Sequence, residues 1–239
     1  MATAILVRHG RTTANASGLL AGRATGVRLD EVGQGQAAAT GERLAAVPLA
    51  AVVTSPLERC RQTAAAIVGA QGQPLKALTE RGLLECDYGE WQGEALKTLA
   101  KHKLWPPIQA QPSSVTFPGG ESMVAMSSRA ISAVRRHDAE VAAEHGEQAT
   151  WVAVSHGDVI KAIVADALGM HLDLFQRISI DPASITIIRY TAARPYVLSV
   201  NTHAGDLSWL KPPARGRTRR KPTTDAVVGG GSGPTPASA

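Results

Sequence analysis

Two histidines in this chain of 239 residues stand in the same local setting. His9 and His156 each lie just beyond a short apolar run, and each precedes a glycine. Continuous aliphatic runs are typical of buried parallel strands, and the carboxyl ends of such strands border the ligand crevice in open α/β sheets. The repeat therefore predicts that the two imidazoles meet at one site.

Two arginines accompany these histidines. Arg8 directly precedes His9, and Arg59 lies near the start of a helix predicted from about Pro56. The N-terminus of that helix adds amide N–H donors and the positive end of a helix dipole. Such a cluster repels itself unless a dianion occupies its centre, and the oxygens of phosphate match guanidinium donors. These residues predict a phosphate site.

A neutral histidine in such a site can act as a nucleophile. Because neighbouring arginines lower the pKa of an imidazole, we expect His9 to keep a free nitrogen lone pair near neutral pH. Attack on phosphorus would form a phosphohistidine. Arg8, Arg59 and His156 would stabilise the charge on the phosphoryl oxygens.

The segment 85–93 offers a proton for the leaving group. It contains Glu85, Asp87 and Glu90. A group that first donates and later accepts a proton needs a pKa near neutrality, which enclosure by Leu84 favours for Glu85. Spacing alone does not separate the three acids, and all three could be ordinary surface carboxylates.

A metal site is the chemical alternative, because histidines and carboxylates also bind metals. However, no His-x-x-x-His spacing occurs near either glycine turn, and the adjacent arginines would repel a dication. We therefore expect no metal.

Alternating strands and helices must position these side chains. Strands are predicted at about 4–7, 49–54, 74–78, 151–155, 184–188 and 196–200. Helices are predicted at about 33–46, 56–70, 121–145 and 158–168, the second with Ser55 as its N-cap. This order predicts an α/β fold, a three-layer α/β/α sandwich with a mostly parallel central sheet. Residues 10–32 form a loop over the site, and the proline-interrupted residues 94–118 are a candidate lid.

Charge and composition weigh against other classes of protein. The net charge of +5 comes from residues 211–239, which carry six basic residues against one acidic, so the body is neutral and nucleic-acid binding is not expected. Two cysteines are too few for a disulfide framework, and the chain opens without a signal-like segment, which favours the cytoplasm. No apolar run approaches the roughly 20 residues of a membrane helix, so no membrane partner is expected.

Five segments occur in a familiar order and spacing. They read LVRHGRT at 6–12, SPLERCRQTA at 55–64, ECDYGEWQG at 85–93, PGGES at 118–122 and VSHG at 154–157. Together they resemble the phosphoglycerate mutase-like branch of the histidine phosphatase superfamily, over about residues 4–201. The resemblance implies the phosphoglycerate mutase-like fold, and neither a metal nor an organic cofactor.

The resemblance also assigns roles to residues. It implies His9 as the phosphorylated nucleophile and Glu85 as the proton donor. The expected catalytic and substrate contacts are Arg8, Asn15, Gly22, Arg59, His156 and Gly157.

The chain departs from the family's usual pattern at three positions. Arg11 stands where an acidic residue is common, and Ala21 replaces a polar residue before Gly22. Asp30 replaces a common threonine, and we interpret it as structural.

The predicted reaction is hydrolysis of a small phosphorylated metabolite by a histidine acid phosphatase-type phosphomonoesterase. Glycolytic mutases of the family carry a longer insertion with an arginine pair, whereas residues 94–118 contain no arginine. Apolar side chains such as Trp105 and Phe117 suggest a lid that suits a partly hydrophobic leaving group. Two alternatives stay open, phosphoglycerate mutase-type transfer and a non-catalytic phospholigand-binding regulator.

We expect two regions along the chain. Residues 1–210 are predicted to form the catalytic domain. Residues 211–239, basic and then rich in Gly, Pro and Ser, are predicted to be a flexible tail whose removal leaves turnover nearly unchanged. The sequence leaves the oligomeric state open, including a homodimer.

Overall fold

A six-stranded open sheet forms the centre of the computed structural model, which describes residues 1–203, 226–231 and 233. The strands are β1 (Thr3–Arg8), β2 (Leu49–Thr54), β3 (Ala77–Thr79), β4 (Thr150–Ser155), β5 (Ile185–Arg189) and β6 (Tyr196–Thr202). Their order is β3-β2-β4-β1-β5-β6. The first four in this order are parallel, and β5 is antiparallel to both of its neighbours. The predicted mostly parallel sheet is confirmed.

Helices cover both faces of this sheet. They are α1 (Thr13–Ser17), α2 (Glu31–Leu44), α3 (Glu58–Gly69), α4 (Leu96–Leu99), α5 (Trp105–Ala110), α6 (Met123–His145) and α7 (Gly157–Ala167). Side chains alternate along β1, so Ile5 and Val7 pack with residues of α2 and α3. Ala4 and Leu6 pack on the opposite face with residues of α6 and α7. Two apolar layers therefore hold the three-layer α/β fold together.

The start of α3 differs from the prediction. The helix begins at Glu58 after the N-cap residue Leu57, which makes no side-chain cap. Ser55 is therefore not the N-cap, and its hydroxyl instead lies 2.9 Å from His156 Nε2.

Asp30 has the structural role that the sequence suggested. Its Oδ1 accepts a 2.7 Å hydrogen bond from the backbone N–H of Gly33 in the first turn of α2. Its Oδ2 accepts a 2.8 Å bond from Arg11 Nε, so the cation added by Arg11 is paired.

The proposed lid, residues 94–118, contains α4, α5 and a short 3-10 helix at Pro112–Ser114. Its apolar side chains Trp105, Ile108 and Phe117 are buried in the core, and Trp91 stacks near Trp105. None of them lines the pocket beside His9. We expected these side chains to offer an apolar surface to a hydrophobic leaving group. This expectation is wrong, because the side chains pack in the hydrophobic core and do not reach the pocket.

Other expectations concern the tail, the membrane and the cysteines. Most of the tail, including residues 211–225, lies outside the described residues. Residues 226–231 pack against the body of the protein near the end of β1.

In the described ranges, no helix has the length and apolar character needed to cross a membrane. Cys60 and Cys86 are buried and unpaired.

Candidate active site

The register of the sheet brings the two histidines together. β1 and β4 are adjacent and parallel, and Arg8 pairs with Ser155. The next residue of each strand therefore leaves the same sheet edge beside the other. The ring centroids of His9 and His156 are 5.3 Å apart, at an angle of 62°. The predicted meeting of the two imidazoles is confirmed.

His9 is held as a neutral imidazole with one nitrogen free for chemistry. Nδ1 lies 2.7 Å from the carbonyl oxygen of Gly10, which only a protonated nitrogen can bond. The other nitrogen, Nε2, therefore carries a lone pair, and Arg59 Nε donates to it at 3.2 Å. Burial, followed by the charges of Arg59 and Arg8, lowers the pKa of His9 well below its usual value. The side chain is 3% exposed and is neutral at physiological pH.

The two arginines carry N–H groups that the described residues do not satisfy. Arg59 Nη2 donates to the Gly22 carbonyl at 2.7 Å, while its Nη1 is buried without a partner. Arg8 Nη1 donates to the Ile180 carbonyl at 2.8 Å, while its Nε is likewise buried without a partner. A buried charged donor without an acceptor is costly. An anion bound here would supply the missing acceptors.

His156 is also neutral, and its orientation is set by two neighbours. Arg59 Nη2 lies 3.3 Å from its Nδ1, which therefore accepts. Its Nε2 then carries the proton and donates to Ser55 Oγ at 2.9 Å. Burial, followed by the charge of Arg59, lowers the pKa of His156 well below its usual value.

The structure separates the three acids that the sequence left together. Glu85 is 3% exposed, and its Oε2 lies 4.0 Å from His156 Nδ1. Burial first, and then the charge of Asp158, raises the pKa of Glu85 to about 7. Asp87 instead forms an ion pair with Arg23 at 3.2 Å, and Glu90 is exposed. Glu85 is thus the carboxyl that faces the histidines.

A network that the sequence analysis missed holds the backbone of Glu85. Arg129 Nη2 and Arg23 Nε donate to its carbonyl oxygen at 3.0 and 2.9 Å. Glu121 Oε1 joins the two arginines, at 2.6 Å from Arg129 and 2.8 Å from Arg23. Glu121 lies in the PGGES segment, which the sequence analysis had singled out. Arg129 is in sequence an ordinary charged residue of an amphipathic helix. Nothing in the sequence marks Arg129 as part of the site.

Of the remaining predicted contacts, Asn15 and Gly22 line a small pocket and Gly157 does not. Asn15 lines it, and Asn15 Oδ1 accepts bonds of 3.1 and 2.9 Å from the backbone and hydroxyl of Thr12. Gly22 also lines it and, at φ +52°, turns its carbonyl toward Arg59. Gly157 is the first residue of α7 and directly follows His156. The pocket has a volume of about 20 Å³.

Asp158 is a buried carboxylate at this site that the sequence analysis did not single out. Its Oδ2 accepts from the Tyr88 hydroxyl at 2.9 Å, and its Oδ1 from Lys161 Nζ at 3.3 Å. Its charge contributes to the raised pKa of Glu85. In the described part of the chain, no group of three His, Cys, Asp or Glu side chains is arranged to hold a metal ion.

Comparison with known proteins gives the family. Residues 4–203 match the histidine phosphatase superfamily (branch 1). The chain belongs to this superfamily. The matched range contains His9, Arg59, Glu85 and His156.

Curated proteins that are at least 30% identical to this chain include a bifunctional protein and a phosphoserine phosphatase. The bifunctional protein Rv2228c of Mycobacterium tuberculosis is 33% identical over 194 residues, which are 79% of this chain and 50% of that protein. The chain thus spans about half the length of that relative. Phosphoserine phosphatase 1 of Hydrogenobacter thermophilus is 30% identical over 213 residues, covering 86% of this chain and 96% of that protein.

A solved structure of similar fold is the mycobacterial glucosyl-3-phosphoglycerate phosphatase Rv2419c in complex with VO3. It superposes with a TM-score of 0.73 at 25% identity, covering 84% of this chain and 99% of that one. Similar curated proteins carry the names of phosphatases and of phosphoglycerate mutases. The chain therefore has a phosphoglycerate mutase-like fold, and the proteins similar to it carry both kinds of name.

Proposed function

We propose that this protein is a metal-independent phosphomonoesterase that acts on a small phosphorylated metabolite through a phosphohistidine at His9. The observation that carries the proposal is the lone pair of His9 Nε2, held beside Arg59 with the proton on Nδ1. A neutral imidazole fixed in this tautomer is ready to attack phosphorus.

The first half of the reaction transfers the phosphoryl group to the enzyme. His9 Nε2 forms a bond to phosphorus as the ester P–O bond breaks, in line with the attack. The unpartnered N–H groups of Arg8 and Arg59 donate hydrogen bonds to the phosphoryl oxygens and stabilise their negative charge. Glu85, protonated below a pKa of about 7, gives its proton to the leaving oxygen.

The second half regenerates the enzyme. Glu85, now ionised, takes a proton from water as that water attacks the phosphohistidine. The P–N bond breaks, inorganic phosphate leaves, and His9 Nε2 regains its lone pair. His156 stays neutral, accepts from Arg59 at Nδ1 and donates from Nε2 to Ser55, so its role is to position Arg59, which in turn contacts the phosphoryl group.

The positions of the cationic side chains favour hydrolysis over the mutase reaction, in which an arginine pair would bind the substrate carboxylate. Among the described residues that line the pocket, the fixed cation is Arg59. The arginine pair of α6 is engaged elsewhere, with Arg135 bonded to Asp166 and Arg136 to Glu80. Neither arginine is available to hold a substrate carboxylate at the pocket.

The unpaired, buried cysteines suit a reducing compartment, and we place the enzyme in the cytoplasm.

The test uses p-nitrophenyl phosphate with EDTA present. Wild-type protein should hydrolyse the ester, and acid-labile, base-stable radiolabel from a ³²P-phosphoester should be trapped at position 9. His9→Ala should abolish both signals, because His156, the other imidazole beside Arg59, does not line the pocket. His145→Ala, at an exposed position of α6, should behave as wild type.

Other outcomes would contradict the proposal. Wild-type turnover by a folded His9→Ala variant, verified by thermal unfolding, would remove His9 as the nucleophile. Isomerisation of phosphoglycerate at a rate above its hydrolysis would favour the mutase. Phosphate binding without any turnover would favour the non-catalytic regulator.

A further inference from the structure

Part of the protein's own C-terminal region covers the active site. Residues 226–231, here called the strap, run across the mouth of the pocket beside His9. Val228 is 1% exposed and lines the pocket together with Gly229 and Gly230. The strap therefore contacts the site across a long separation along the chain.

Specific hydrogen bonds hold the strap in place. The Gly229 N–H donates to the buried Oδ2 of Asp158 at 2.9 Å. The Gln109 side chain both donates to the Ala226 carbonyl and accepts from the Ala226 N–H, each at 2.9 Å. A turn closes the strap, since the Gly230 N–H donates to the Val227 carbonyl at 2.9 Å. These partly buried donors and acceptors are thus paired with specific partners in the body of the protein.

The strap also occupies a donor of the phosphate site. Arg8 Nη2 donates to the Gly230 carbonyl at 3.2 Å, so a backbone oxygen accepts from the guanidinium that the phosphoryl group needs. The closed pocket has a volume of about 20 Å³. A cavity needs a volume of roughly 10–15 Å³, measured in the same way, to hold a single water molecule. A phosphomonoester therefore does not fit while the strap is closed.

Opening the strap would create the missing room. Gly230 separates the pocket from a second cavity of about 420 Å³, whose walls include Lys161 and Gln176. Gln176 Nε2 is buried there without a partner. Displacement of the strap joins the two spaces and leaves Arg8 Nη2 free.

We propose that residues 226–231 are an autoinhibitory strap that competes with the phosphoryl group for Arg8 and must open to admit substrate. This inference rests on the proposed function of the same pocket. It replaces the expectation that the tail is without effect on turnover. Because linkage is reciprocal, a phosphate that displaces the strap is bound more weakly than it would be by an open pocket.

The test weakens the strap at two separate points in the full-length protein. Gln109→Ala removes both hydrogen bonds to Ala226, and Gln111→Ala is its matched control at an exposed position nearby. Gly230→Ala adds a Cβ 2.9 Å from Arg8 Cζ at φ +73°. Its control is Gly231→Ala, whose Cβ comes no nearer than 3.7 Å to Val227.

The first readout is binding of inorganic phosphate by calorimetry. Gln109→Ala and Gly230→Ala should lower the Kd for phosphate, and the KM for p-nitrophenyl phosphate, by about fivefold or more, the lower end of common coupling strengths. Both controls should match wild type. An unchanged Kd in Gln109→Ala would overturn the proposal, and a raised Kd would make the strap a binding wall instead of a competitor.

The second readout follows the strap itself. Hydrogen exchange of the Gly229 amide should accelerate when phosphate saturates the wild-type protein, because its bond to Asp158 is then lost. Stronger protection of that amide by phosphate would overturn the proposal. The phosphate Kd and the exchange rate of the Gly229 amide do not require turnover, so an inactive protein that still shows this coupling would refute the proposed function and leave the strap proposal standing.

Discussion

Burial shifts the two reacting groups of this site in opposite directions. Removal from water disfavours the charged form of any group, which lowers the pKa of an imidazole and raises that of a carboxyl. His9 accordingly has a lowered pKa, and Glu85 has a pKa of about 7. The resting site near neutrality thus contains a neutral nucleophile and a partly protonated acid. One physical cause prepares both groups.

The pH dependence of turnover should report Glu85. With an alkyl phosphate, whose leaving group needs a proton, kcat/KM should fall as pH rises through about 7, because Glu85 loses its proton there. Glu85→Gln should be slower and should lack this decline. Initial rates between pH 5 and 9 measure both effects.

The matched control for this profile is Glu90→Gln, at an exposed position of the same segment. It should keep the wild-type decline. If kcat/KM of Glu85→Gln still fell as pH rises through about 7, the general acid would be another group. The change should also be smaller with p-nitrophenyl phosphate, whose leaving group is stable without a proton.

At the scale of elements, α6 is tied to both strands that carry the histidines. Asp138 of α6 is fully buried. Its Oδ2 accepts from the Ala2 N–H at 3.0 Å, and its Oδ1 accepts from Trp151 Nε1 at 3.1 Å. Ala2 precedes β1 and Trp151 lies in β4, so one carboxylate fixes the helix against the paired strands.

Loss of this carboxylate should cost stability. Asp138→Ala leaves two buried N–H donors without an acceptor, and we expect a loss of roughly 3 kcal/mol in the free energy of unfolding. Urea denaturation measures it. Glu144→Ala, at an exposed position of the same helix, should change stability by less than about 0.5 kcal/mol. Equal stability of the two variants would show that Asp138 does not hold α6 in place.

At the scale of the molecule, two buried guanidinium groups lie at the centre of the fold with unsatisfied N–H groups. Arg8 and Arg59 are each at most 2% exposed. Their charges repel one another, since the charge of Arg59 contributes to the lowered pKa of Arg8, after burial. The fold therefore carries an electrostatic cost that a bound dianion removes.

Phosphate should therefore stabilise the whole protein. A ligand at about 100 times its Kd adds about 2.7 kcal/mol to the free energy of unfolding. In a protein of this size, that raises the Tm by about 5–10 °C. Differential scanning calorimetry with and without phosphate measures the shift. Arg59→Met should lose most of it, and an equal shift in that variant would place the phosphate elsewhere.

The sequence predicted part of the site because several of its residues follow regular elements. His9 and His156 were found from strand ends, and Arg59 from the helix after β2. Glu85 could not be separated from Asp87 and Glu90 by spacing. Their difference is one of burial, and burial depends on which side of the segment the tertiary fold covers. The hydrogen bond from Arg129 to the Glu85 carbonyl was missed for the same reason.

By itself, the sequence determined the α/β alternation, the paired histidines and the chemistry that such residues can perform, because these follow from local apolar patterns and side-chain type. Only the tertiary structure decided what lies over the pocket. The glycines at 229 and 230 suggested flexibility, yet Gly230 allows the backbone to approach Arg8 closely, and Gly229 allows it to approach Leu20. Partners such as Arg8, 222 residues from Gly230, meet it only after the chain has folded, so no local pattern records the contact.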